Sequence, residues 1–115
     1  MVRTDKEMTV VSKSIRGGKG ECIMKQLLTG EAELYGKGRM FNRITINPGV
    51  EIGYHTHSGD NEVYYFLSGS GLYNDNGTEL TVHAGDITIC NDGESHGFVN
   101  NTDEPVEALA LIIYS

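Results

Sequence analysis

The chain has 115 residues, enough for one hydrophobic core and too few for two, so we expect a single domain over residues 1–115. Its nine basic residues against sixteen acidic ones give a formal net charge of −7, which argues against a nucleic-acid partner. The N-terminal ten residues lack the apolar stretch of a signal peptide, and the longest apolar run, at 108–114, is too short to cross a bilayer. We therefore expect a cytoplasmic protein without a membrane or nucleic-acid partner.

The two cysteines, Cys22 and Cys90, lie far apart in the sequence and form no CxxC pattern. Such spacing indicates neither a disulfide framework nor a thiolate metal site. Because both residues fall within β-rich segments, we expect them to be buried free thiols.

The chain is a series of short β-rich runs separated by clusters of Gly, Asn and Asp, and no run shows a convincing helical period. The predicted strands cover residues 8–12, 21–29, 39–46, 50–57, 62–73, 78–82, 86–90, 96–100 and 106–114. Asn76–Gly77 is typical of a tight hairpin turn, since both residues tolerate a positive φ. Short strands with almost no helix predict an all-β sandwich or barrel of antiparallel strands.

The first predicted turn, SIRGGKGE, carries the basic residues Lys13, Arg16 and Lys19 beside its glycines. Basic side chains around a glycine turn most often point into water, and we expect these three to be solvated.

The strand predicted at 39–46 is unusual because two arginines, Arg39 and Arg43, stand among apolar residues. Alternation divides its later residues into two faces, Phe41, Arg43 and Thr45 against Asn42, Ile44 and Ile46. A guanidinium that faces a cavity would bind a carboxylate through two parallel hydrogen bonds. Arg43 is therefore a candidate substrate anchor, and a position on an outer face is the alternative.

The segment HTHSGDNE contains three possible metal ligands. His55 and His57 lie on the same face of the strand predicted at 50–57, about 6.5 Å apart along it. Glu62 opens the next strand and can fold back onto the same place. Two imidazoles and a carboxylate suit Mn, Fe, Co, Ni or Zn. The pair of histidines alone is equally compatible with surface or core residues.

A second pattern follows about forty residues later. Residues 49–69 read G-x5-H-x-H-x4-E-x6-G, and residues 85–100 read G-x5-N-x-G-x2-H-x3-N. In their order and spacing these two patterns resemble the two motifs of the cupin family. Asn91 stands where the second motif has a proline, at a turn position that binds no metal and that Asn also suits.

The resemblance implies a small cupin barrel, a double-stranded β-helix or jelly roll, with one divalent ion held near its mouth. Four residues match the ligand positions of the family: His55, His57, Glu62 and His96. Four protein ligands would leave open positions on an octahedral ion for water or substrate.

Alternation extends the predicted pocket beyond the ligands. The face that carries Glu62 continues through Tyr64 and Phe66, and that of His96 continues through Phe98 and Asn100. Tyr64 is the most reactive of these and a candidate proton donor or acceptor. A core tyrosine with a satisfied hydroxyl is the alternative.

The resemblance leaves two classes of function open. The favoured hypothesis is a metal-dependent enzyme that acts on a small carboxylate or oxygenated metabolite, similar to the oxalate-decarboxylase-like group. The alternative is a non-catalytic cupin module that binds a small molecule. The resemblance also implies a homodimer, for which outward aliphatic residues such as Val63 and Leu67 would supply apolar surface.

Overall fold

A computed structural model describes all residues from 1 to 115, and ten strands account for most of its regular structure. The strands are β1 (Val10–Lys13), β2 (Cys22–Leu28), β3 (Gly38–Ile46), β4 (Glu51–Thr56), β5 (Asp60–Ser68), β6 (Ser70–Asp75), β7 (Thr78–His83), β8 (Ile87–Cys90), β9 (Ser95–Val99) and β10 (Val106–Tyr114). Helical structure is limited to a 3-10 turn at Asp5–Glu7 and one α-helical turn, α1, at Gly30–Glu33. The prediction of an all-β fold is confirmed.

The strands form two sheets, and every strand pair within them is antiparallel. The larger sheet has the order β1-β2-β3-β10-β5-β8, and the smaller has the order β4-β9-β6-β7. Their inner faces enclose one apolar cluster to which both contribute, for example Ile44 and Phe66 from the larger sheet and Phe98 from the smaller. The alternation of the sequence produces this arrangement, because each strand turns one apolar face inward. This is the predicted antiparallel barrel.

The strand predicted at 62–73 is in fact two strands that belong to different sheets. The chain crosses between the sheets at Gly69, whose φ is +81°. A Cβ at this position would lie 2.6 Å from the carbonyl oxygen of Pro105, so only glycine fits the crossing without strain. The crossing at Gly69 also reverses the alternation of inward and outward residues, so the inward residues of β6 have odd numbers whereas those of β5 have even numbers.

Cys22 and Cys90 are both buried and free, as predicted. Burial raises the pKa of each thiol to about 11, so both remain protonated near neutral pH.

Candidate metal centre

The structure brings the four matched residues together between the sheets. His55 on β4 pairs directly with His96 on β9, His57 follows immediately after β4, and Glu62 reaches in from β5 of the opposite sheet. One potential ligand atom from each residue lies within 4.8 Å of the others. Three of the four residues are almost completely buried, and His55 is half-buried.

The distances between the ligand atoms fit an octahedral ion. His57 Nε2 lies 3.2 Å from both His55 Nε2 and His96 Nε2, and 3.1 Å from Glu62 Oε1. His96 Nε2 lies 3.1 Å from Glu62 Oε1, whereas His55 Nε2 lies 4.0 Å from it. With metal–ligand bonds of about 2.1 Å, adjacent octahedral ligands lie about 3.0 Å apart and opposite ones about 4.2 Å. The four donor atoms are therefore spaced so that His55, His57, Glu62 and His96 could hold one ion together.

The hydrogen bonds behind two of the histidines orient their Nε2 atoms for an ion. His55 Nδ1 donates to the carbonyl oxygen of Gly53 at 2.6 Å, and His57 Nδ1 donates to Asp60 Oδ1 at 2.7 Å. Because a neutral imidazole has one hydrogen, each Nε2 then presents a lone pair to the centre. Lone pairs that converge beside a carboxylate form a donor set that could hold a cation.

The charge balance of the carboxylate supports the same conclusion. Burial raises the pKa of Glu62, but hydrogen bonds with His57 and His96 outweigh this effect and lower the pKa to about 2. The pKa of His57 is raised chiefly by its contact with Glu62, and that of His55 is lowered by burial. The centre therefore holds one carboxylate charge that a proton or a metal ion must neutralise.

Asp60 links the centre to an arginine. Its carboxylate accepts the hydrogen bond from His57 and also lies 3.0 Å from Arg39 Nε. Burial raises the pKa of Asp60, but its two partners lower it below the ordinary value. Strand alternation did not predict this role of Asp60, because it does not show a contact with a histidine three residues away.

Tyr73 contacts the third histidine and was also missed. Its hydroxyl lies 2.8 Å from His96 Nδ1, and it is buried. If residues 62–73 formed one unbroken strand, Tyr73 would point away from the face that carries Glu62. The crossing at Gly69 reverses this alternation and turns Tyr73 inward.

Tyr64 lies on the predicted inner face. Its hydroxyl donates to Glu62 Oε1 at 3.0 Å, and its ring stacks on that of His96 at 5.2 Å. Burial, reinforced by the neighbouring Glu62, raises the pKa of Tyr64 well above its ordinary value. The tyrosine therefore keeps its proton and holds the Glu62 carboxylate in place.

The centre opens into a pocket of about 160 Å³. Its apolar wall includes Met24, Met40 and Ile44, and its basic residues are Lys13, Arg16 and Arg39. Lys13 and Arg16 were expected to be solvated. They are exposed, but the N-terminal segment packs against β4 so closely that a Cβ on Gly53 would lie 2.0 Å from the carbonyl oxygen of Arg16. This packing brings both side chains to the pocket.

Arg43 is not part of the pocket, and its prediction as a pocket residue is corrected. It lies on the outer face of β3, where Arg43 Nε is 3.3 Å from Glu107 Oε2. The buried face of the strand is the one that carries Asn42, Ile44 and Ile46. This orientation places the aliphatic side chains in the core and leaves the guanidinium in water.

The fold and the site define a class of protein: a small antiparallel β-barrel with three histidines and one glutamate between its sheets that could hold a metal ion. A family model described as Cupin domain matches residues 42–112, and the chain belongs to this family. No helix is long and apolar enough to span a membrane.

Two relatives from Thermotoga maritima resemble the chain over most of its length. A protein named oxalate-binding protein is 43% identical over 100 residues, which cover 87% of this chain and 82% of the relative. A solved structure, described as a predicted oxalate decarboxylase, is 40% identical with a TM-score of 0.93 and full coverage of both chains. A putative sugar phosphate isomerase from Acidithiobacillus ferrooxidans, 21% identical with a TM-score of 0.79, covers 99% of this chain and 75% of its own and shares the fold.

Proposed function

We propose that this protein binds one divalent transition-metal ion and, at that ion, a small dicarboxylate of the oxalate class. The observation that carries the proposal is the cluster of four ligand atoms within 4.8 Å of one another at a pocket with basic residues. The ion would be held by His55, His57, Glu62 and His96. The donor set suits Mn, Fe, Co, Ni or Zn, and the ligand types alone do not determine which of these metals is bound.

The size and charge of the pocket favour a small anion. Its volume of about 160 Å³ is well below the roughly 300–1,000 Å³ of pockets for drug-sized ligands. When bound, the ion would supply positive charge to anionic oxygen atoms at its free positions. Arg39 already pairs with Asp60, whereas Arg16 and Lys13 have no carboxylate partner and remain available to a ligand. The relative named oxalate-binding protein suggests the same ligand class.

Arg16→Gln is expected to weaken oxalate binding at least tenfold, because the variant removes a charged hydrogen-bond donor from the pocket mouth. Arg43→Gln, on the outer face, is the matched control and should bind oxalate as the wild type does. Isothermal titration of Mn²⁺-loaded protein with oxalate, and with acetate for comparison, measures both effects. Equal affinity in the two variants, or no oxalate binding by loaded wild type, would contradict the proposal.

Catalysis is the second candidate, because an ion held by four protein ligands would be able to bind a substrate as well. The sole carboxylate at the pocket is Glu62. As a ligand of the ion it would not be free to act as a general acid or base. Glu94, an acid two residues before His96, accepts hydrogen bonds from the backbone N–H of Asn91 and the side chain of Asn76 instead. Binding is therefore supported better than decarboxylation. Carbon-13 NMR of labelled oxalate in the same samples, under air and under nitrogen, distinguishes binding from turnover.

We further propose a homodimer through the outer face of β5, β8 and β10. Directly paired residues form one apolar patch there, with Tyr65 opposite both Ile87 and Leu109, and Val63 opposite Ile89. Ile87 and Ile89 are each more than half exposed, and such a patch on a small protein marks an interaction site. Sedimentation should give twice the chain mass of 12.6 kDa, and Ile89→Glu should give that mass itself. A monomeric wild type would refute the dimer.

We also place the protein in the cytoplasm, because two buried free thiols suit a reducing compartment. Cell fractionation with an antibody against the protein tests this placement.

A further inference from the structure

The direction of the hydrogen bond between Tyr73 and His96 has a consequence beyond the proposed metal site, on which this inference rests. For His96 Nε2 to bind an ion, its Nδ1 must carry the ring hydrogen and donate it. The Tyr73 oxygen, 2.8 Å away, is then the acceptor. The phenol hydrogen of Tyr73 cannot point at His96 in this state and needs another acceptor.

One buried atom is left over for that hydrogen. Thr88 Oγ1 is the one buried side-chain polar atom of the protein without a hydrogen-bond partner. Because the residue is only 8% exposed, water does not readily supply that partner. Thr88 on β8 and Tyr73 on β6 line the same groove between the two sheets. Their hydroxyls are neighbours in this groove.

The structure has the opposite arrangement available when no ion is bound. If Tyr73 donates to His96 Nδ1, the ring hydrogen sits on Nε2 and can be donated to Glu62 Oε1 at 3.1 Å. Thr88 then stays without a partner. An unpaired buried hydroxyl carries a desolvation cost that a new hydrogen bond would remove.

We infer that Tyr73 and Thr88 are positioning residues that form a hydrogen-bond relay behind His96. In this relay His96 Nδ1–H donates to the Tyr73 oxygen, and the Tyr73 O–H donates to Thr88 Oγ1. The relay stabilises the form of His96 that binds metal. Metal binding moves the ring hydrogen from Nε2 to Nδ1 and turns the phenol hydrogen from His96 toward Thr88. Both changes only relocate hydrogens on nitrogen and oxygen, so His96 and Tyr73 together keep the same number of protons.

Two substitutions at Thr88 separate the hydroxyl from the shape of the side chain. Thr88→Val keeps the shape and removes the acceptor, so its affinity for Co²⁺ should fall about tenfold, the lower end of the effect of outer partners of metal ligands. Thr88→Ser keeps the hydroxyl and should bind Co²⁺ within about twofold of wild type. Tyr73→Phe should lose at least as much affinity as Thr88→Val. Thr81→Val, at an exposed threonine of the same groove, is the matched control.

Affinity is measured by competition with a chromophoric chelator, and the visible absorption of Co²⁺ reports the ligand set. Metal-free Thr88→Val should melt at the wild-type temperature or above, because it removes an unpaired buried hydroxyl. Wild-type affinity in Thr88→Val, weak binding in Thr88→Ser or a lower melting temperature of metal-free Thr88→Val would each overturn the relay. Wild type that binds no Co²⁺ would overturn the metal site and the relay together, whereas the other outcomes leave the metal site standing.

Discussion

His57→Ala is expected to purify without stoichiometric metal, whereas wild type contains about one ion per chain. His57 contacts three other ligand atoms of the centre, so its loss removes a ligand and opens the cluster. The affinity should fall by more than about 100-fold, since loss of an outer partner alone costs about 10- to 100-fold. Elemental mass spectrometry of untagged protein measures the content directly.

The control for this experiment is His83→Ala. His83 is an exposed histidine that contacts Asp86 on the surface, and its variant should retain the metal of wild type. Glu62→Gln should lose metal as His57→Ala does, because the amide has no negative charge to offer the ion. Bound metal also raises the free energy of unfolding, by about 2.7 kcal/mol at a concentration 100 times Kd. Wild type without metal after incubation with each candidate ion would refute the proposed centre.

Phe66→Ala is expected to lower the free energy of unfolding by about 3–5 kcal/mol, the usual cost of removing a fully buried phenyl ring. Phe66 is 1% exposed and packs on Phe98 at 5.4 Å between ring centroids. Domains of this kind are stable by only about 5–15 kcal/mol, so the variant should lose a large share of its free energy of unfolding. Urea denaturation followed by circular dichroism gives the value.

Tyr35→Ala is the matched control, because this tyrosine is 87% exposed and should change the free energy of unfolding by less than about 0.5 kcal/mol. An equally small effect of Phe66→Ala would show that the two sheets do not pack on each other at this position. Phe66 lies four residues after Glu62, on the same inner face of β5.

The sequence was informative wherever structure depends on neighbours along the chain. Eight of the nine predicted strands each match one observed strand to within two residues. Tyr64 and Phe66 face inward with Glu62, and Phe98 faces inward with His96, as alternation predicted. Cupin membership, first indicated by the spacing of the two motifs, is confirmed by the family match.

Predictions that depended on the position of other segments were less successful. Arg43 was a candidate because one strand has two faces and its own sequence does not identify the inner one. Lys13 and Arg16 reach the pocket only because the turn that carries Arg16 packs against Gly53, far away in the sequence. The division into two strands at Gly69 places this residue against the carbonyl oxygen of Pro105, and a local pattern does not contain that contact.

The sequence by itself determined the β-rich architecture, the family and the four residues that could hold a metal ion. These features are set by the period-two alternation of strands and by motif spacings within about 20 residues. Only the tertiary structure decided how the centre is supported and what reaches it. Tyr73 acquires its contact with His96, Asp60 its contact with Arg39 and Arg16 its place at the pocket, because folding brings together side chains that the sequence keeps apart.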